Sequence, residues 1–233
     1  MKQILVTGGT RGIGAGTARV LVDAGYSVIA ASASKAELDA FVPNDAIKLC
    51  LMDVTDQSSV DEVFNSIGDL NGLVNCAGIL RRVDEYNIET FQQVIDVNLI
   101  GTMRCCLASH RLLKESGGSI VNTASMLSTF GGPLVPAYSA SKGGVSQLTK
   151  ALAGQWAEDA IRVNAIAPGW IKTEMTQGLR DDPKRSEGIM ARTPMKRWGN
   201  VHEVGALVRW LLSSEASYVT GSIYPVDGGY LAI

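Results

Sequence analysis

Tyr138 and Lys142 stand four residues apart in AYSASKGGV, and Ser125 lies a short loop upstream in IVNTASM. Residues four apart share one face of a helix, so the ammonium of Lys142 can sit beside the phenol of Tyr138. A neighbouring cation favours the phenolate and would pull the phenol below its ordinary value near ~10. Tyr138 is then placed to exchange a proton with an alcohol or carbonyl oxygen. The same spacing arises by chance wherever a half-buried Tyr lies beside a solvated Lys, so the pair takes its meaning from the rest of the chain.

The chain opens with KQILVTGGTRGIGAGTARVLVDAG. Ile4, Leu5 and Val6 read as a buried strand, Gly8 to Gly14 as a glycine-rich turn, and Ala15 to Ala24 as a helix. Glycines let the backbone come close to a pyrophosphate, and the free N–H groups at a helix N-terminus favour its negative charge. The spacing Gly8-x-x-x-Gly12-x-Gly14 is wider than the common dinucleotide fingerprint. Further apolar runs, Ser27 to Ala31, Ile47 to Met52, Gly72 to Asn75, Ser119 to Thr123, Ile161 to Ile166 and Ile223 to Pro225, alternate with helical patterns or a long connection. That alternation predicts an α/β fold in which a doubly wound parallel sheet carries helices on both faces and a crevice beyond the carboxyl ends of its strands. No repeat, low-complexity tract or linker interrupts it, so a single domain over residues 1–233 is expected.

With these features in order, the chain resembles the short-chain dehydrogenase/reductase family. The motifs that carry the resemblance are Thr7-Gly8-x-x-x-Gly12-Ile13-Gly14, Asp53-Val54, Asn75-Cys76-Ala77-Gly78, Asn98, Ser125, Tyr138, Lys142, and Pro168-Gly169 followed by Thr173. Cys76 departs from the family, which usually has a second Asn there; a backbone role for that turn should survive the change. The resemblance implies a Rossmann-type fold and hydride transfer between a nicotinamide and a carbon bearing oxygen. Tyr138 would donate or accept the proton, Lys142 would lower its pKa and touch the nicotinamide ribose, Ser125 would bind the substrate oxygen, and Asn98 would hold a water linking Lys142 to solvent. Gly8, Thr10, Arg11, Gly12, Ile13 and Gly14 would cradle the cofactor, with Asp53 and Val54 at the adenine and Asn75, Ala77 and Gly78 beneath it. Pro168, Gly169, Ile171 and Thr173 would close over the carboxamide. A homotetramer or homodimer built on the helices after Asn98 and Tyr138 and on the C-terminal strand is also implied.

Charged residues make up 19% of the chain and the formal net charge is -2, which suits neither a nucleic-acid nor an anionic-membrane surface. Met1-Lys2-Gln3 runs directly into the first strand, and no apolar stretch reaches a bilayer-spanning length, so a cytoplasmic location is expected. Cys50, Cys76, Cys105 and Cys106 lack metal-ligand spacing and read as small core thiols, and His110 and His202 have no ligand cluster around them. No metal is expected.

The second strand bears on which cofactor is used. In SVIAASASKAEL, Ser32 stands where an acid would otherwise bind the ribose 2′-hydroxyl of NAD. Arg11 and Lys35, helped by the hydroxyls of Ser32 and Ser34, are placed to meet a 2′-phosphate, which favours NADP(H) over NAD(H).

The polar segment from Thr173 to Trp198 suits a mobile lid. CAGILRRVDEY and ASMLSTFGGPLVPAYSASK resemble most the sugar-acid branch of the family, which includes gluconate 5-dehydrogenases and 2-keto-3-deoxygluconate dehydrogenases. An anionic substrate needs a cation, and Arg81 or Arg82 is the candidate, with Ser125, Met126 and Tyr138 around the reacting group. Alternatively the chain is a 3-oxoacyl-acyl-carrier-protein reductase, in which Lys184, Arg185, Lys196 and Arg197 would face the acidic carrier. A non-catalytic NADP-binding sensor is a third reading, which the presence of Ser125, Tyr138 and Lys142 disfavours.

Overall fold

The computed structural model describes residues 1–233. Seven strands form one parallel sheet: β1 (Gln3–Thr7), β2 (Ser27–Ser32), β3 (Ile47–Leu51), β4 (Gly72–Asn75), β5 (Ser119–Thr123), β6 (Arg162–Pro168) and β7 (Ile223–Val226). Their order across the sheet is β3-β2-β1-β4-β5-β6-β7. The chain therefore starts in the middle, winds outward to β3 and returns to β4 on the other side of β1. The carboxyl ends of β1 and β4 part at this switch point and leave a crevice between them. This is the doubly wound α/β architecture expected from the apolar runs.

Side chains alternate between the two faces of the strands, and both faces are buried. Ile4 and Val6 belong to a core shared with α1 (Gly12–Asp23) and α9 (Val201–Leu212), through Leu21, Val204, Val208 and Leu211. Leu5 and Leu73 turn the other way, into a core with α3 (Gln57–Ser66), α5 (Gly101–Ser116) and α6 (Pro136–Trp156), where Val60, Phe64, Cys105, Cys106, Leu113 and Trp156 are buried. Val145, Leu152 and Trp156 along α6 are buried. His110 packs on Trp156 and meets Asp159 at 2.7 Å, a structural tie between α5 and the end of α6.

Two boundaries differ from the sequence expectation. Helix α1 starts at Gly12 rather than Ala15, because the glycine-rich turn is itself its first turn, with Arg11 as the N-cap residue. After α4 (Ile88–Ile95) comes a π-helical stretch, Asp96–Ile100, before α5. Its wider turn carries Asn98 inward, as such insertions often do at functional sites. The remaining helices are α2 (Lys35–Ala40), α7 (Gln177–Arg180) and α8 (Pro183–Arg192), the last two within the segment expected to be a lid. No helix is long and apolar enough to cross a membrane.

Candidate active site

At the switch point lies a cleft of about 820 Å³, lined by residues of the glycine turn, the ends of β2 and β4, the segment after β3, α6 and the start of the lid. At its floor Gly8 has a φ of +61°, and a Cβ there would stand 2.9 Å from the backbone N of Ala77. Gly14 is tighter still: a Cβ would lie 2.1 Å from the Gly8 carbonyl oxygen. The Thr7 hydroxyl accepts from the backbone N–H groups of Cys76 and Ala77 at 3.1 and 3.0 Å, which fastens the turn after β4 to the end of β1. Cys76 therefore keeps the backbone role of its turn, and its sulfur meets the Thr123 hydroxyl at 3.5 Å. The first turn of α1 and this bare floor fit a pyrophosphate. Gly14→Ala should weaken dinucleotide binding at least roughly tenfold, since an added methyl against backbone has no rotamer to escape into; fluorescence titration with NADPH checks it.

The adenosine end has a different occupant from the one expected. Glu37, in the first turn of α2, turns its carboxylate back into the cleft. It pairs with Arg11 at 3.0 Å and accepts from the hydroxyls of Ser32 at 2.8 Å and Thr10 at 3.2 Å. The Ser34 hydroxyl accepts from the Glu37 backbone N–H and caps α2. Lys35 is exposed and does not line the cleft. The first turn of α2 directs it to solvent and directs Glu37 inward. Asp53 and Val54 line the cleft, and Asp53 uses one oxygen to hold the backbone N–H and hydroxyl of Thr55.

Asn75 does not face the cofactor cleft. Its amide donates to the Asn122 side chain at 2.9 Å and reaches the Cys106 sulfur at 3.4 Å; Asn122 in turn donates to Thr149 on α6. The residue sits two positions after Leu73 and shares its face of the sheet, so it belongs to the α5/α6 core. Ala77 and Gly78 do line the cleft. Asn98 is fully buried, and its amide is committed: it donates to the Ile79 carbonyl and the Ser141 hydroxyl and accepts from the Ile79 N–H at 2.8 Å. Its side chain braces the β4 turn against α6.

The catalytic candidates converge at the other end of the cleft. Pro136 opens α6 at its first position, where the missing N–H costs nothing. From the first turn of the helix Tyr138 shares a face with Lys142, whose ammonium lies 5.6 Å from the centre of the phenol ring. Ser125 follows β5, caps a short turn by accepting from the Leu127 N–H, and is joined to α6 through Ser128, whose hydroxyl donates to the Lys142 carbonyl at 2.6 Å. Lys142 is 4% exposed and donates to the Thr123 carbonyl at 2.7 Å.

The electrostatics of the pair reverse one expectation. Burial pushes the Tyr138 phenol up to about 12, with the Ser125 hydroxyl opposing and the Glu85 charge reinforcing the rise. Burial also pulls the Lys142 ammonium down to about 8. Low surrounding polarity penalises both charged forms. Without cofactor Tyr138 is a protonated acid at neutral pH, ready to give a proton to a developing alkoxide.

Glu85 is a buried acid that sequence reasoning did not single out. It is 1% exposed and bridges two backbone N–H groups, Arg81 at 2.8 Å and Tyr138 at 2.9 Å. It thus ties the double-arginine turn to the start of the catalytic helix. Within that turn Val83 has a φ of 72°, a strained value for a β-branched residue. Arg81 lines the cleft; Arg82 does not, and is half-buried, near enough to Arg185 of α8 to feel its charge.

Pro168 and Ile171 are buried, Gly169 packs against Asp227, and Thr173 lines the cleft beside Glu174 and Met175. Met126, expected against the substrate, is 3% exposed and does not line the cleft. The lid segment is docked: the Trp198 indole N–H donates to Ser186, and Arg192 lies 4.4 Å above the ring of Tyr230 near the C-terminus.

Comparison with known proteins agrees with this geometry. The profile of a family described as enoyl-(acyl carrier protein) reductase matches residues 8–231. A 2-dehydro-3-deoxy-D-gluconate 5-dehydrogenase of Bacillus subtilis is 40% identical, over 99% of this chain and 95% of its own. A 3-oxoacyl-acyl-carrier-protein reductase of Thermotoga maritima is 37% identical, over 98% and 97%. A gluconate 5-dehydrogenase of Burkholderia cenocepacia, solved in complex with NADP and tartrate, superposes with a TM-score of 0.91 at 31% identity, over 100% of this chain and 96% of that one. With its parallel sheet, its glycine cradle and its Ser, Tyr and Lys at the switch point, the chain belongs to the short-chain dehydrogenase/reductase family and is an NAD(P)-dependent oxidoreductase.

Proposed function

We propose that the protein interconverts a ketone and a secondary alcohol on a sugar acid, a gluconate 5-dehydrogenase-like reaction, as one catalytic domain over residues 1–233. The observation that carries this reading is the convergence of Tyr138 and Lys142 at one end of a cleft whose other end is a dinucleotide cradle, with Ser125 hydrogen-bonded to the Tyr138 phenol. The bound nicotinamide supplies or accepts the hydride at the substrate carbon. In the reducing direction Tyr138 gives its proton to the carbonyl oxygen, and Ser125 stabilises the charge developing on that oxygen. Lys142 holds a cation beside the phenolate that remains. Asn98 and Glu85 position these groups by bracing the β4 turn and the N-terminus of α6.

Gly8, Gly12, Ile13 and Gly14 hold the pyrophosphate, Asp53 and Val54 the adenine, and Ala77, Gly78 and Thr173 the nicotinamide side. NADP(H) is favoured over NAD(H), on the strength of Arg11 and Ser32 at the adenosine end and of the NADP in the solved relative. Arg81, which lines the cleft, supports an acidic substrate, with the half-buried Arg82 beside it. Burial, and then the positive charge of Arg185, lower the pKa of the Arg82 guanidinium, while Glu85 offsets part of the effect. An entering carboxylate would relieve this crowding of cations. The related sugar-acid dehydrogenase and the tartrate held by the solved relative point the same way. Arg81→Ala should raise KM about tenfold for a carboxylated ketose and leave an uncharged ketone unchanged; equal effects on both would remove Arg81 from substrate binding.

Acyl-carrier reduction is less well served. Two of its four candidate cations are spent locally, Arg197 on Glu203 at 2.6 Å and Lys196 on the Ala191 carbonyl. The cysteines are all free, in keeping with action in the cytoplasm. Ile100 and Leu107, exposed along the π-helical stretch and α5, suit a homo-oligomeric contact.

A further inference from the structure

The cofactor reading places the adenosine ribose at the end of β2, and a carboxylate already occupies the groups that would hold a 2′-phosphate there. Glu37 draws in Arg11, Ser32 and Thr10 together. These are the donors an anion at that place would need: a guanidinium and two hydroxyls, with the Ser34 N–H turned to the Ser32 oxygen at 3.1 Å. Its sequence position explains why the acid escapes notice. Ser34-Lys35-Ala36-Glu37 has the form of a helix capping box, in which Glu37 would reach back to the cap residue. Here the cap is half-made: Ser34 accepts from the Glu37 N–H, while the Glu37 side chain leaves the helix and enters the cleft.

We propose that Glu37 is a specificity-determining residue that stands in for the 2′-phosphate in the free enzyme and restrains the preference for NADP(H). With a free ribose 2′-hydroxyl in the cleft, the carboxylate can stay and accept from it, as an acid does in NAD-binding sites of this fold. With a 2′-phosphate present, two anions compete for Arg11, so Glu37 must swing out through the half-exposed face of α2 and give up its contacts. Arg11 and Glu37 are both partly open to solvent, at 57% and 29% side-chain exposure, which allows that exchange without disturbing the core. Wild-type preference for NADP(H) is therefore modest, and removing the charge at position 37 should sharpen it.

The test is direct binding of adenosine 2′,5′-bisphosphate and of 5′-AMP, measured by isothermal titration calorimetry on wild type, Glu37→Gln, Arg11→Ala and the double variant. Glu37→Gln should bind the bisphosphate roughly tenfold tighter, as removal of a like charge near a partly solvated phosphate allows, and bind AMP equally or slightly more weakly. The gain should vanish when Arg11→Ala is added, because the two anions share that partner. Bisphosphate affinity unchanged or weakened in Glu37→Gln, or tightened in parallel with AMP, overturns the proposal. If wild type binds NADPH and NADH but Glu37→Gln leaves their ratio untouched, the role of Glu37 falls alone. If wild type binds neither dinucleotide, the cofactor reading falls with it. Circular dichroism of each variant excludes loss of fold as the source of any weakening.

Discussion

Tyr138→Phe will lower turnover by about a thousandfold, the middle of the range for losing a positioned general acid, while dinucleotide affinity changes far less. The variant keeps the ring that packs in the cleft and removes the hydroxyl alone, so the loss belongs in kcat rather than in KM. The reason lies in the protonation state of the free enzyme. Burial holds the phenol at about 12, so it enters the cycle as an acid, and Ser125 is placed to share the substrate oxygen with it. A variant that lost affinity and kept its turnover would show Tyr138 to be a binding group. Stopped-flow single turnovers, which separate binding from hydride transfer, decide between the two.

Lys142→Met should be as damaging to catalysis and yet stabilise the fold. The ammonium sits at about 8 in the folded protein against an ordinary 10.5. Its charged form is therefore the one that folding penalises. Below the folded value both states carry the proton and the penalty is complete; between the two values the unfolded chain binds more protons, so stability rises with pH; above the unfolded value the penalty is gone. The shift corresponds to roughly 3 kcal/mol at about pH 7, and losing the hydrogen bond to the Thr123 carbonyl takes back about 1 kcal/mol. Lys142→Met should thus melt several degrees above wild type at about pH 7, with the difference closing by about pH 10. The same titration predicts that reductive kcat/KM of wild type declines as pH rises through about 8. Scanning calorimetry across that window checks the sign. A less stable variant at neutral pH would mean that the ammonium is better solvated than its 4% exposure implies.

The strands were legible because each is a short apolar run between breakers, and a parallel sheet buried on both faces needs little else. The cradle and the Ser, Tyr and Lys were legible because their spacing is local: four residues on a helix, six across a glycine turn. What depends on how distant elements meet was not. Glu37 looks like a helix cap and Glu85 like a loop acid until α2 is laid beside the glycine turn and the arginine turn beside α6. The direction of Asn75 was in the sequence, since it follows Leu73 by two in a strand, and motif membership obscured it. The rise in the Tyr138 pKa could not be read from a neighbouring Lys, because the spacing gives the attraction and only the packed cleft gives the desolvation.

The most direct measurement is nicotinamide absorbance during turnover with NADPH, on 5-ketogluconate and keto-deoxy sugar acids beside an acetoacetyl thioester, with wild type and Tyr138→Phe in parallel. Fast oxidation with a keto sugar acid, slow with the thioester and abolished by the substitution, is the predicted result. Preferred turnover of the thioester would contradict it, moving the protein to acyl-chain reduction and making Arg81 and Arg82 ordinary surface charges.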